Sequence, residues 1–327
     1  MFTPQSLLIT GGAGFIGSHL VLDLIRRYHY GGRLVIVDLE TYAADPHRLD
    51  PVREDIIYIN ADITDTSKMG CIIAEYGIDT IINLAAESHV DRSISTPRSF
   101  IQTNIIGTFS LLEAARVSWK GRSDVRFYQM STDEVFGELD ERGLPFTESS
   151  AYAPRSPYSS SKASADHLVR SYGHTYGLPI LISHCSNNYG PYQHEEKFIP
   201  KAILNLAAGK NVPLYGDGSH RRDWIYVSDH IHGIYQVLTT GRPGESYAIG
   251  SGTMIENRIL LRYIIGLLAP RLSKSIEELT TLITYVNDRA GHDRGYCIDS
   301  TKIQDELGWD MMTPLQMGMS LTIDSYL

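Results

Sequence analysis

Three cysteines in 327 residues, none at ligand spacing, leave no basis for a disulfide framework or a structural zinc site. Cys71, Cys185 and Cys297 stand far apart and read as buried thiols of a reducing cytoplasm. No apolar run approaches the ~18 residues that a membrane helix needs. The first apolar run begins at Ser6, so the reading expects no signal peptide and no membrane association. Basic residues are outnumbered, 29 Lys and Arg against 38 Asp and Glu, for a net charge of −9. That balance argues against general nucleic-acid binding, although a few local arginines would still hold an anionic small molecule. Low-complexity tracts and short repeats are absent as well.

What is present is an alternating pattern. The run SLLIT (6–10) is followed by Gly11-Gly12-Ala13-Gly14-Phe15-Ile16-Gly17 and an amphipathic helix beginning near Phe15. The spacing from Gly12 is that of a dinucleotide loop, with the strand before it and the helix after it that such a loop requires. The helix N-terminus would then face a pyrophosphate with free N–H groups. A second strand, RLVIV (33–37), ends at Asp38, about twenty residues past the glycines. There an acid accepts from a ribose 2′-OH and repels a 2′-phosphate, which favours NAD over NADP; the alternative is a plain cap. Strands at 56–60 and 81–84 follow. The first runs into Asp62-Ile63, at the adenine border of such a fold. The second runs into Leu84-Ala85-Ala86-Glu87-Ser88-His89, where Ser88 and His89 read equally as pocket or loop residues and His89 has no partner for a metal.

A helical pattern over 97–116 puts Ile101, Ile105, Phe109, Leu112 and Ala115 on one face, with Thr103 and Asn104 away from it or at its margin. A fifth strand, 125–130, ends in Ser131-Thr132-Asp133-Glu134. Two adjacent carboxyls and a threonine thus stand beyond a strand's carboxyl end, where open parallel sheets bind ligands. Tyr158 and Lys162 share a helix face four residues apart. On their own they read as a surface pair; behind a glycine-rich loop they read as a base whose pKa the ammonium lowers. A sixth strand ends near Cys185, and the pattern then turns irregular. Strands alternating with helices imply an α/β fold, a Rossmann-type doubly wound parallel sheet with a smaller, interleaved C-terminal substrate-binding lobe. The division expected is 1–185 for the dinucleotide, with part of 222–250 returning to it, and 186–327 mainly for the substrate.

The motifs TGGAGFIGS, LAAESHVDRSI, STDEVFGE, SPYSSSKASADHLVRSY, CSNNYGPYQ, RDWIYV and DRAGHDR run nearly end to end. Together they resemble those of the nucleotide-sugar 4,6-dehydratases, in the extended branch of the short-chain dehydrogenase/reductases, and most closely the members acting on dTDP-glucose. The resemblance implies a hydro-lyase with recycled NAD: oxidation at C4, loss of water across C5 and C6, and reduction at C6. Tyr158 would be the base on the 4-OH, with Lys162 lowering its pKa and holding the nicotinamide ribose. Thr132 would bind the 4-oxygen, Glu134 remove the C5 proton and Asp133 protonate the leaving 6-OH. NAD would lie on Gly11, Gly14, Phe15, Ile16, Gly17, Asp38, Leu39, Thr41, Asp62, Ile63, Leu84, Ala85, Ala86, Ser88, Thr103 and Asn188, besides Tyr158 and Lys162.

The nucleotide sugar would lie on His89, Thr132, Asn187, Lys197, Phe198, Pro213, Tyr215, Arg222, Asn257, Asp288, Arg289 and His292. A homodimer built on a four-helix interface is implied as well. The chain departs from the family pattern at 39–44, His184, 220–221, 252–256 and Ala290. These departures touch the nucleotide rather than the reaction, so a UDP-glucose enzyme is the alternative. A 4-epimerase would keep Tyr158 and Lys162 without needing Asp133 and Glu134, and a non-catalytic NAD-binding protein would need none of the four.

Overall fold

The computed structural model describes residues 1–140, 143–289 and 291–327. Ala290 of the DRAGHDR motif therefore lies outside the described residues. In chain order, β1 (Ser6–Thr10) passes through the glycine turn into α1 (Phe15–Arg26), and β2 (Arg33–Asp38), β3 (Ile57–Asn60), α2 (Thr66–Glu75) and β4 (Thr80–Asn83) follow. Short helices α3 (Val90–Ser95) and α4 (Pro97–Phe100) lead through a π-helical turn, Ile101–Gly107, into α5 (Thr108–Ser118). Then come β5 (Arg126–Thr132), a 3-10 turn Asp133–Phe136, α6 (Pro157–Tyr176) and β6 (Ile180–Cys185). The remaining elements are β7 (Asn187–Tyr189), α7 (Phe198–Ala207), β8 (Val212–Tyr215), β9 (Arg221–Tyr226), α8 (Val227–Thr240), β10 (Ser246–Ile249), β11 (Met254–Glu256), α9 (Asn257–Leu272), α10 (Ile276–Thr280), β12 (Ile283–Val286), α11 (Thr301–Leu307) and α12 (Leu315–Asp324).

Seven strands form one sheet in the order β10-β6-β5-β4-β1-β2-β3, every neighbouring pair parallel. Its central strands are apolar runs, buried along their length, because helices cover both faces of a parallel sheet. One face packs against α1 and α8 through Leu20, Leu24, Ile231 and Ile234, and the other against α2, α5 and α6 through Ile72, Leu111 and Val169. Chain order reverses between β1 and β4, so a crevice opens beyond their carboxyl ends, where α/β folds bind ligands. A second core, containing Ile203, Leu214, Ile264 and Leu268, lies among α7, β8 and α9; its small sheets are β11-β9-β7 and β12-β8. The return of β10 to the edge of the main sheet, beside β6, comes from α8 crossing back over it.

In this frame the expected stripe over 97–116 divides, with Leu112 and Ala115 entering the core, and one thiol departs from expectation. Ile101 and Phe109 are 51% and 41% exposed, whereas Asn104 is buried. A π turn adds a residue to its turn, which rotates the preceding helical phase and breaks the regular stripe. Asn104 thereby points inward, donating to Ser161 Oγ at 2.8 Å and to the Glu87 carbonyl at 3.0 Å, and so ties the loop after β4 to α6. Cys71 is exposed rather than buried; it stands on the outer side of α2.

Candidate active site

The glycine turn is shaped by close approaches. Gly11 has φ +70°, and a Cβ there would lie 2.7 Å from the Ala85 nitrogen. A Cβ on Gly17 would lie 2.1 Å from the Gly11 carbonyl oxygen, so α1 can start this near β1 only with glycine at that position. Gly14 precedes α1 with no side-chain cap, which leaves the first N–H groups of the helix to the cleft. Asp38 closes the other side: its carboxylate accepts from Ala13 N and from Glu40 N, both at 2.9 Å. Each carboxylate oxygen keeps a lone pair for a ribose hydroxyl, while a second phosphate would meet a buried acid. Asp62 accepts from Thr64 N at 2.8 Å. These residues fit NAD.

The same cleft, about 610 Å³, continues over the carboxyl ends of β4 and β5. Thr132 ends β5 and caps the 3-10 turn, accepting from Glu134 N at 3.3 Å, and its hydroxyl donates to Asp133 Oδ1 at 3.3 Å. Asp133 is 1% exposed, and its Oδ2 has no partner. Burial raises its pKa well above the usual carboxylate range, and the Glu134 and Asp223 charges push it further. Burial also raises Glu134, but Arg289, Arg222 and Lys197 oppose it. The two acids thus stand in unlike environments, one favouring the proton and one tempered by three cations.

From the opposite wall comes α6. A reciprocal Ser156–Ser159 capping box, both bonds 3.0 Å, and Pro157 at its first position fix where the helix begins. That puts Tyr158 in the first turn and Lys162 one turn on. Here the structure corrects the sequence reading. Burial, then the Glu134 charge, hold the Tyr158 phenol well above its ordinary value, and the Thr132 hydroxyl only partly offsets them. The Lys162 ammonium instead donates to the Met130 carbonyl at 2.6 Å. Burial of a phenol next to a carboxylate outweighs a cation turned toward a backbone oxygen.

The far end of the cleft is cationic. Arg222 is 6% exposed, donates to the carbonyls of Arg221 (2.8 Å) and Asp293 (3.0 Å), and lies 4.5 Å above the Tyr296 ring. Arg289 reaches Asp91 at 3.4 Å, and Lys197 donates to the Ser88 carbonyl at 2.8 Å. Asn187, Phe198, Pro213, Tyr215, Asn257 and His292 complete this end, and His89, capping α3, borders it. Every residue expected at the site lines the cleft except Asp288. Asp288 stands behind it, bonded to His292 Nδ1 (2.5 Å) and His220 Nε2 (3.0 Å). These three residues are close enough to suggest a metal site. However, the two imidazoles stack 3.8 Å apart at 16°, so an ion in the plane of one ring would lie out of the plane of the other. They form a hydrogen-bonded trio that steers His292.

Sequence reading missed Tyr296, Trp224 and Glu196, all of which line the cleft. Tyr296 also donates to Asp293. It lies inside the stretch that follows DRAGHDR, and its place under Arg222 depends on a bridge between Arg221 and Gly295 that no local pattern announces.

A family model described as GDP-mannose 4,6 dehydratase matches residues 8–322. The chain is 48% identical over 330 residues to a dTDP-glucose 4,6-dehydratase of Xanthomonas campestris, which covers 98% of this chain and 92% of that one. Among solved structures it is similar to a dTDP-glucose 4,6-dehydratase from Streptomyces venezuelae with NAD bound, at TM-score 0.90 and 41% identity, over 98% of this chain and 96% of that one. It is also similar to a UDP-glucose 4-epimerase from Thermotoga maritima with UDP-glucose, at TM-score 0.86 and 28% identity, over 98% of each chain.

Proposed function

The chain belongs to the nucleotide-sugar 4,6-dehydratases, and from that premise we propose that it is an NAD-dependent hydro-lyase converting dTDP-glucose to dTDP-4-keto-6-deoxyglucose. The observation that carries this reading is the pair of acids at the end of β5, Asp133 enclosed and Glu134 opposed by cations, across the cleft from Tyr158 and Lys162. A 4-epimerase needs the tyrosine and lysine but has no step for the two acids.

Held by the glycine turn, Asp38 and Asp62, NAD would supply the oxidant for C4 and the reductant for C6 and would be restored within each turnover. Tyr158 takes the proton of the sugar 4-hydroxyl as that carbon is oxidised, and Thr132 donates to the 4-oxygen. The resulting ketone acidifies C5–H, so Glu134 is a strong enough base to remove that proton, and it returns the proton to C5 as C6 is reduced. Asp133, kept protonated by burial and by its neighbours, gives its proton to the departing 6-hydroxyl. Arg222, Arg289 and Lys197 face the diphosphate, for which guanidinium forks are well matched. Lys162 stays charged and orients the nicotinamide ribose. We assign 1–185 with part of 222–250 to the dinucleotide and the remainder mainly to the nucleotide sugar.

A cytoplasmic location is supported by three free thiols, one of them exposed. A homodimer through the π turn, α5 and α6 is supported by exposed Ile101, Ile106, Phe109 and Tyr176; sedimentation of the purified protein tests it. For the reaction, dTDP-, UDP-, GDP- and CDP-glucose are offered in parallel, and the ultraviolet absorbance that a 4-keto-6-deoxy sugar develops in alkali is read. The dTDP sugar should react best; preference for UDP-glucose would move the substrate assignment. Deuterium placed at C4 should reappear in the new methyl group. A galacto product without any ketone would replace the dehydratase reading with the epimerase one.

A further inference from the structure

Beneath Tyr158 and Lys162 lies a polar cluster that the reaction above leaves unused. Tyr158, Lys162 and Asp166 follow one another at four-residue intervals on α6, so they share one face. They are 8%, 3% and 0% exposed, and a carboxylate that deep is costly unless it is held ionised by partners. Asp166 has them. Its Oδ2 accepts from Ser131 Oγ at 2.5 Å and from Tyr152 OH at 3.0 Å. Tyr152 OH meets His184 Nε2 at 2.7 Å, and that nitrogen lies 3.5 Å from Asp166. With its single proton on Asp166, the Tyr152 oxygen accepts from His184 Nε2–H. Ser131 and His184 are register partners on β5 and β6 and directly precede Thr132 and Cys185 in the cleft floor.

The charges are arranged to match. Burial pulls the Lys162 ammonium down, and Asp166 is the largest opposing influence, ahead of Cys185. Burial pushes Asp166 up, but contact with His184, the Lys162 charge and the Ser131 hydroxyl together bring it below the ordinary carboxylate value. The remaining titratable groups around the cluster are His167, 5.2 Å from the Tyr152 ring, and Arg170, which acts on the Tyr152 phenol. Asp133 and Glu134 lie on the Tyr158 side.

We propose that Asp166 is the positioning residue for Lys162: a buried counter-ion, braced by Ser131, Tyr152 and His184, that keeps the lysine charged within a dry cleft. This rests on the reading of Tyr158 and Lys162 as the oxidation pair. It gives His184 a purpose, since an imidazole at that point closes a ring of bonds that fixes the carboxylate.

The test is Asp166→Asn in the NAD-loaded enzyme, with dTDP-glucose turnover followed from pH 6 to pH 10. The asparagine still accepts from Ser131 and Tyr152 but carries no charge. Removing a neighbouring anion lowers an ammonium's pKa, so the alkaline limb of kcat should move down by about one pH unit. At pH 8 kcat should fall about tenfold with KM within about twofold, because the binding contacts are untouched. The Lys162 ε-carbon, titrated by NMR in the same variant, should shift in the same direction. Tyr152→Phe, which removes bonds but no charge, should keep the wild-type limb and only lower stability.

Should the asparagine variant not fold, Asp166→Glu and Asp166→Gln form a size-matched pair: the first should keep the limb and the second lose it. An unmoved limb together with an unmoved lysine titration overturns the proposal, as does a limb that moves equally in Tyr152→Phe. If the wild type turns over no nucleotide hexose, the dehydratase reading fails instead, and the NMR titration still decides whether Asp166 sets the charge of Lys162.

Discussion

Asn187 and Asn188 are neighbours on β7, and they belong to two different halves of the cleft. Asn188 is finished: its Oδ1 is held by His230 Nδ1 at 2.8 Å and its Nδ2 donates to the Ser186 carbonyl at 3.0 Å. Asn187 Oδ1 is buried with no partner, as are Asn257 Oδ1 and Arg289 Nε farther along the same wall. On the cofactor side Asp38 and Asp62 are likewise bonded to backbone, and Thr10, Asn83 and Gln129 form a closed chain behind them. Among the described residues lining the cleft on that side, Ser186 Oγ and Gln193 Oε1 are exceptions, and Tyr58 OH, Asp166 Oδ1, His184 Nδ1 and His230 Nε2 are unpaired behind it. Buried polar groups in proteins are nearly always paired, so a run of unpaired ones marks a surface built for a polar ligand. The dinucleotide half is preformed, as suits a cofactor that never has to leave. The nucleotide-sugar half keeps its hydrogen bonds open for a molecule that comes and goes.

The sharpest test lies where the halves meet. Tyr158→Phe should cut kcat by about 10² to 10⁴, the usual span for a lost acid–base group, while bound NAD and nucleotide-sugar affinity both persist. Loss of either ligand would mean that the phenol holds the cleft together rather than acting in it. Glu134→Gln should lose elimination on a similar scale yet still oxidise C4, seen as nicotinamide absorbance near 340 nm in a single turnover. Equal loss of both steps would take the C5 proton away from Glu134.

Two further variants set the halves against each other. Gly17→Ala drives a methyl to within 2.1 Å of the Gly11 carbonyl, and overpacking of that kind costs about 1–3 kcal/mol. NAD retained through purification should drop roughly ten- to hundredfold, with the affinity of NAD-reloaded protein for the nucleotide sugar preserved. Arg222→Ala should do the converse: removing a charged donor costs about 1.5–3 kcal/mol, so KM rises roughly ten- to hundredfold with NAD still bound. If each variant loses both ligands, the two halves fold as one and the contrast between them collapses.

Much of this was legible from local pattern. The glycine turn, the strand ends at Asp38 and Thr132, and Tyr158 with Lys162 all rest on spacings of a few residues, and strand and helix periods report those directly. What stayed hidden depends on longer or finer geometry. The π turn before α5 is a change of phase, so a stripe drawn at regular helical spacing joined Ile101 and Phe109 to Leu112 and Ala115, which the structure separates into exposed and buried pairs. Asp288 looked like a ligand contact because its neighbours Arg289 and His292 line the cleft; its own carboxylate is instead taken up by His292 and His220. Tyr296 and Glu196 reach the cleft through tertiary contacts, the latter through a bond to Tyr42 across 154 residues of chain. Burial, which reverses the expected shift of Tyr158, has no signature in a motif.

The gentlest test returns to the two asparagines. Replacing Asn187 with alanine removes an acceptor that nothing in the protein uses, so the fold should lose little. A neutral hydrogen bond is worth about 0.5–1.5 kcal/mol, and KM for the nucleotide sugar should therefore rise only several-fold. Asn188→Ala should reverse the pattern, because it strands His230 Nδ1 in a fully buried position and costs about 1–3 kcal/mol of stability. Melting temperature and KM measured on both variants give four numbers that must fall on a diagonal. A destabilised Asn187 variant, or an Asn188 variant that melts normally, would show that open and closed hydrogen bonds do not separate the halves of this cleft.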